Sequence, residues 1–190
     1  MNRRIEILVE ELSMQVFLNG LLPRILPPAF RPGVNCFVYA HEGKQDLLRR
    51  LPKRLQAYRN YPEEVLLVVI HDQDSASCTA LKQQISEIIT TTENSPRHLI
   101  RIACRELENW YLGDLSAVEK VYPRSKASKL STKAKYRNPD QLTGSEELKR
   151  LAPEFGKTSS ARAIAPVIST GENAQVSFRH FVTGLQKLLG

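Results

Sequence analysis

With 190 residues and 42% hydrophobic side chains, the chain is long enough for one packed domain of ordinary size, and wholesale disorder is excluded. Its formal charge of +7 is unevenly placed: residues 1–119 hold 14 Lys and Arg against 15 Asp and Glu, while residues 120–190 hold 13 against 5. No apolar run approaches the roughly 20 residues that span a bilayer. Three cysteines, Cys36, Cys78 and Cys104, form no C-x-x-C pair, which argues against a disulfide scaffold or zinc site and for reduced thiols in a cytoplasmic protein.

The segment RRIEILVEE (3–11) reads as a first strand, and its acids Glu6, Glu10 and Glu11 make it unlike a secretory leader. In SMQVFLNGLLPRILP, Phe17, Leu18, Leu21, Leu22 and Ile25 recur at helical spacing, and Pro27 and Pro28 end that helix. VNCFVYAH (34–41) is a short second strand. KQDLLRRLPKRLQAYRN is a surface helix that Pro52 is expected to kink or split. EVLLVVIHD (64–72) is a strand with both faces buried, because its aliphatics are uninterrupted. CTALKQQISEIIT is a helix with Leu81, Ile85, Ile88 and Ile89 inward, and HLIRIAC (98–104) is a fourth strand. Such alternation calls for a mainly parallel four-stranded sheet flanked by helices. A basic stretch and short helical patterns follow, the last being SFRHFVTGLQKLL, with Ser177 as expected N-cap. The division expected is an α/β domain over residues 1–119, with residues 120–190 as a basic loop and helical extension packed on it.

The acids fall where such sheets bind ligands, beyond the carboxyl ends of the strands. Glu10 and Glu11 close the first strand, Asp72 and Asp74 the third, and Glu106 and Glu108 follow the fourth; the second offers His41 and Glu42. Two carboxylates about 7 Å apart repel by about 2.4 kcal/mol at an effective dielectric near 20. A divalent cation or raised pKa values relieve that crowding, and hard carboxylate oxygens suit Mg²⁺ or Mn²⁺. The competing reading is of solvated loop acids and charges at helix N-termini. Asp72 and Asp74 share a direction while the backbone stays extended, which sends His71 the other way as a structural histidine. If a helix has begun at Glu106, that residue and Glu108 flank its buried stripe on opposite sides, and Glu106 is favoured as the ligand. Ser75 and Ser77 suit capping of the next helix, and Trp110 suits the core.

Between Lys120 and Asn138 lie seven Lys or Arg and no acid, with Tyr122 and Tyr136 interleaved. Lys126, Lys129, Lys133, Lys135 and Arg137 suit a phosphate backbone, and the tyrosines suit base stacking. The alternative is a solvated loop. FGKTS (155–159) is not a P-loop: the required earlier glycine is Leu151, and no strand precedes it. Lys157 is either a surface lysine or a phosphate contact.

Taken in order, ILVEELSMQVFLNGLLPRIL, VVIHDQD, CRELENWYLGD and APEFGKTSSARAIAPVI resemble an uncharacterised bacterial TOPRIM-like family related to nuclease domains of the OLD type. The resemblance implies a TOPRIM-like fold and metal-dependent cleavage of a phosphodiester. By the same resemblance Glu10, Asp72 and Asp74 hold Mg²⁺ or Mn²⁺, with Glu106 or Glu108 as further ligand or general base and Lys157 as a phosphate contact. Implied partners are nucleic acid, DNA first, and an ATPase encoded nearby in DNA processing or anti-phage defence; self-association stays open. Where the family's first motif reads E-G-x-T-E, this chain reads EELSM, so Glu11 replaces the glycine and Met14 the second glutamate. Met14 cannot ligate Mg²⁺ as a carboxylate does. The alternative is therefore a non-catalytic nucleic-acid-binding or regulatory module with a degenerate metal site.

Overall fold

The computed structural model describes residues 2–73 and 77–190. Four strands, β1 (Arg3–Val9), β2 (Cys36–Ala40), β3 (Glu64–Asp72) and β4 (Arg97–Ala103), form one all-parallel sheet in the order β2-β1-β3-β4. The mixed α/β architecture, a parallel sheet flanked by helices, is the one the alternation requires. From β1 the chain steps outward to β2, then returns past β1 to β3. With right-handed crossovers, that reversal places the helices on opposite faces.

They do lie on opposite faces. Ile5, Ile7, Val9, Leu66, Val68 and Ile70 point to one side, where α1 (Leu12–Ile25) contributes Phe17, Leu18, Leu21 and Leu22 to the same core. Leu8, Leu67 and Val69 point to the other, against Leu47, Leu51 and Leu55 of α2 (Lys44–Tyr58) and Leu81, Ile85 and Ile89 of α3 (Cys78–Thr90). This double coverage explains β3, in which every residue from Val65 to Asp72 is buried. The reversal of direction falls between β1 and β3, so a crevice is expected at their carboxyl ends.

After β4 come α4 (Leu107–Leu112) and α5 (Leu115–Val121), then four short 3-10 turns between Pro123 and Gln141. Helices α6 (Gly144–Leu151), α7 (Lys157–Ile164) and α8 (Val176–Leu189) complete the chain. Phe178, Phe181 and Leu185 of α8 and Ala161 and Ile164 of α7 join the same core as α1. Trp110 is fully buried there and stacks on Phe181, ring centroids 5.4 Å apart. Among the described residues no helix is long and apolar enough to cross a membrane.

Several local expectations are corrected. β1 ends at Val9, since Glu11 already precedes the first turn of α1. α2 runs unbroken through Pro52. The N-cap of α8 is Gln175, whose side chain accepts from the backbone N–H groups of Ser177 and Phe178. Ser177 Oγ is thereby available to accept from Cys104 N (3.1 Å) and Trp110 Nε1 (2.9 Å), tying α8 to the end of β4 and to α4. Ser77 does cap α3, accepting from Ala80 N; Asp74 and Ser75 lie outside the described residues.

Candidate functional site

The carboxyl end of β1 meets that of β3 through a side chain. Glu10 Oε2 accepts a hydrogen bond from Asp72 N at 3.2 Å and lies 3.2 Å from His71 Nδ1. The parallel register makes this possible, since Val9 pairs with Ile70 and leaves Glu10 beside His71 and Asp72 at the open edge. His71 Nδ1 also contacts the Asp72 carbonyl oxygen. Both neighbours are acceptors, so the ring proton is assigned to Nδ1. His71 is buried as strand alternation requires, yet it does not turn away from the acids: it braces the Glu10 carboxylate. His41 is structural, with Nδ1 on Val9 O.

The turn after β4 splits Glu106 from Glu108. Arg105 adopts a left-handed φ of 60°, and α4 begins at Leu107 with Glu106 in the N-cap position. Glu106 Oε1 accepts from Ser145 N (2.8 Å) and Ser145 Oγ (3.2 Å), so it is committed to the start of α6. Gly144 allows this approach: a Cβ there would stand 2.8 Å from Asn109 N and from Glu108 Cβ.

Glu108 is fully buried, and neither carboxylate oxygen has a hydrogen-bond partner on another described residue. Burial, above all, pushes its pKa up to about 7; Lys157 pulls it down, while Glu106 and Glu11 push it further up. Of the two acids, Glu106, the one favoured from the sequence, is engaged by Ser145, while Glu108 is the more deeply buried. Helix α4 is buried all round, and no other described residue bonds either carboxylate oxygen of Glu108. The Tyr111 hydroxyl is also buried without a hydrogen-bond partner among the described residues. Its pKa is raised by burial first, then by Glu108, Asp72 and Glu11.

Glu11 is held by Ser13 and Lys157. It accepts from Ser13 Oγ, and its Oε2 is 3.4 Å from Lys157 Nζ. Lys157, the first residue of α7, is therefore not an isolated surface lysine. Burial lowers its pKa, but Glu108, Glu11 and Glu106 raise it more, so the ammonium stays protonated. Met14 is 2% exposed, in the core under α1, and contributes nothing to this edge.

The fit of a divalent cation rests on the donors themselves. Among the described residues no group of three His, Cys, Asp or Glu side chains is gathered as metal ligands. Glu10 and Asp72, however, bring two hard-oxygen donors to one strand junction, and Mg²⁺ takes one or two carboxylates, the rest being water and substrate phosphate. In chemical type these carboxylates suit Mg²⁺, although the contact between them runs through the Asp72 backbone N–H; Asp74, the third expected ligand, lies outside the described residues.

In the basic stretch Lys126, Lys129, Lys133 and Arg137 are exposed. Lys135 is exposed too, but it ion-pairs with Glu147 at 2.5 Å. The tyrosines do not serve as stacking platforms: Tyr122 is 8% exposed and Tyr136 5%. The hydroxyl of Tyr122 bonds Ser160, and that of Tyr136 bonds Glu147.

A family model described as "Domain of unknown function (DUF4276)" matches residues 9–186. No curated protein matches the chain. Among solved structures, the C-terminal region of the OLD protein of Xanthomonas campestris pv. campestris aligns over 97% of each chain, at 14% identity and a TM-score of 0.47.

Proposed function

We propose, from the premise that the chain belongs to the DUF4276 family, that its acidic sheet edge is a divalent-cation site for hydrolysis of nucleic-acid phosphodiesters. The observation that carries the reading is the meeting of Glu10 and Asp72 at the junction of β1 and β3. In an open parallel sheet that reversal point is where a crevice forms. Glu10 and Asp72, with Asp74, would hold Mg²⁺ or Mn²⁺. Such an ion, when bound, activates water and offsets charge on the phosphate in the transition state.

The chain's own residues supply the rest. His71 fixes the orientation of the Glu10 carboxylate from a buried position. Glu108, whose pKa burial pushes up to about 7, would be the proton acceptor or donor once substrate and water reach it. Lys126, Lys129, Lys133 and Arg137 offer exposed cations to the phosphate backbone. Cooperation with a separate ATPase follows from the sequence resemblance.

The test is cleavage of plasmid, linear and single-stranded DNA and of RNA, each with Mg²⁺, with Mn²⁺ and with chelator. The wild-type chain should cut at least one substrate only when metal is present, and Asp72→Asn should abolish cutting while retaining its circular dichroism spectrum. Cleavage that persists in chelator, or in the folded Asp72→Asn variant, would falsify the assignment. Nucleic-acid binding without cleavage and without metal uptake would instead favour the non-catalytic module, to which the core position of Met14 already lends weight.

A further inference from the structure

We propose that a basic recess between the 3-10 turns and α6 binds the terminal phosphate of a nucleic-acid strand, so that the strand is held by its end. The proposal rests on nucleic acid as the partner in the reading above and deepens it, but it does not depend on the metal.

The recess has a volume of about 590 Å³, within the range of small-molecule sites. Lys133, Lys135 and Arg150 line it, together with Leu130, Tyr136 and Leu151. Two of the three cations are held in place from below. Glu147, with a side chain only 8% exposed, pairs through Oε2 with Lys135 Nζ at 2.5 Å and through Oε1 with Arg150 Nη2 at 2.5 Å. Arg150 Nη2 also donates to the buried Tyr136 hydroxyl at 2.6 Å. An ammonium has three donors and a guanidinium five, so both keep donors for a phosphate oxygen after Glu147 is served.

The charge selects the end of a strand over its interior. Glu147 offsets one of the three cations and leaves a balance of two. A phosphodiester inside a strand carries about one negative charge, whereas a terminal phosphate monoester carries close to two at neutral pH. Leu130 and Leu151, both half-buried, add an apolar wall that suits a sugar or base and that a bare anion does not need. Helix α6 also ties the recess to the acidic edge. Ser145 at its start bonds Glu106, and Arg150, five residues on, lies roughly 7.5 Å further along the axis.

The measurement is fluorescence anisotropy of short single-stranded DNA with the full chain in chelator, the strands carrying a 5′-phosphate, a 3′-phosphate or hydroxyls at both ends. One phosphorylated strand should bind at least ~10-fold more tightly than the hydroxyl-ended strand. Lys133→Gln, which leaves every Glu147 pair intact, should reduce that gain, and the double variant Lys133→Gln/Arg150→Gln should remove it. Lys126→Gln/Arg137→Gln, equal in charge but outside the recess, should weaken all three strands and keep the gain. Equal binding of the three strands by the wild type, or a gain undiminished in folded Lys133→Gln, overturns the proposal while the nuclease reading survives. A deoxynucleoside monophosphate that competes at the strand's own concentration overturns the strand end in favour of a free nucleotide. No binding of any nucleic acid overturns both.

Discussion

Glu10 Oε2 accepts a hydrogen bond from the backbone N–H of Asp72 at 3.2 Å, across 62 positions of sequence. This contact joins the two central strands at the point where the chain reverses its direction through the sheet. Because the donor is the Asp72 backbone, the side chain of Asp72 can be altered without breaking the junction. Asp72→Asn should therefore keep the thermal midpoint within a few degrees of wild type. It should weaken Mn²⁺ at least ~10-fold by calorimetry, since amide oxygen is a poorer hard donor than carboxylate. Unchanged affinity would remove Asp72 from the metal.

Glu108 makes stability depend on pH. Its pKa rises from 4.5 unfolded to about 7 folded. Between those values the native state holds a proton that the unfolded chain has released, so stability falls as pH rises through the window and levels off above it. A shift of that size is on the order of 3 kcal/mol. Urea titrations at pH 5 and pH 8 should show the loss in the wild type and a smaller one in Glu108→Gln.

Glu147 acts with the opposite sign. Burial favours its neutral form, but hydrogen bonds from Arg150, Lys135 and Tyr136 outweigh that and hold it at about 2. Its contribution is complete above the unfolded carboxylate pKa and fades as pH falls toward the folded value. Glu147→Ala leaves the Tyr136 hydroxyl without its acceptor and should destabilise the fold by about 2 kcal/mol at pH 7. Chemical denaturation that detects less than a few tenths would contradict this role.

Gly144 sets the distance between α6 and α4. A methyl group there meets backbone at 2.8 Å, which is not a contact that a side-chain rotation can relieve. Gly144→Ala should cost about 1–3 kcal/mol and separate Ser145 from Glu106. A denaturation midpoint equal to wild type would show that α6 can shift freely.

The exposed lysines should act through salt-dependent affinity. If Lys126, Lys129 and Lys133 each meet a phosphate of duplex DNA, replacing all three with Gln lowers the log–log salt slope by about 3. An unaltered slope would place the polyanion elsewhere.

Much of the architecture was legible without coordinates because it follows from period and punctuation. The aliphatics of EVLLVVIHD and the helical stripe of CTALKQQISEIIT correspond to the observed elements 64–72 and 78–90. The convergence of Glu10 and Asp72 was legible too, since parallel strands deliver their carboxyl ends to one edge. Residue roles that turn on distant partners were not. Alternation correctly buried His71, yet nothing local showed that Glu10 would bend across to it. Tyr122 and Tyr136 look like stacking residues in a basic loop until Ser160, 38 positions on, and Glu147, 11 positions on across a turn of the chain, claim their hydroxyls.

By itself, then, the sequence determined the alternation of strands and helices, the edge that collects the acids and the charge asymmetry along the chain. All three depend on side-chain type and spacing within about a dozen neighbours. Only the tertiary structure decided that Glu106 accepts from the start of α6, that no other described residue bonds the buried Glu108 carboxylate, and that Lys157 stands beside Glu11. The reason is physical: burial and pairing energies depend on which groups the fold brings within a few ångströms, and positions as far apart as Glu106 and Ser145 or Glu11 and Lys157 carry no local mark of that meeting.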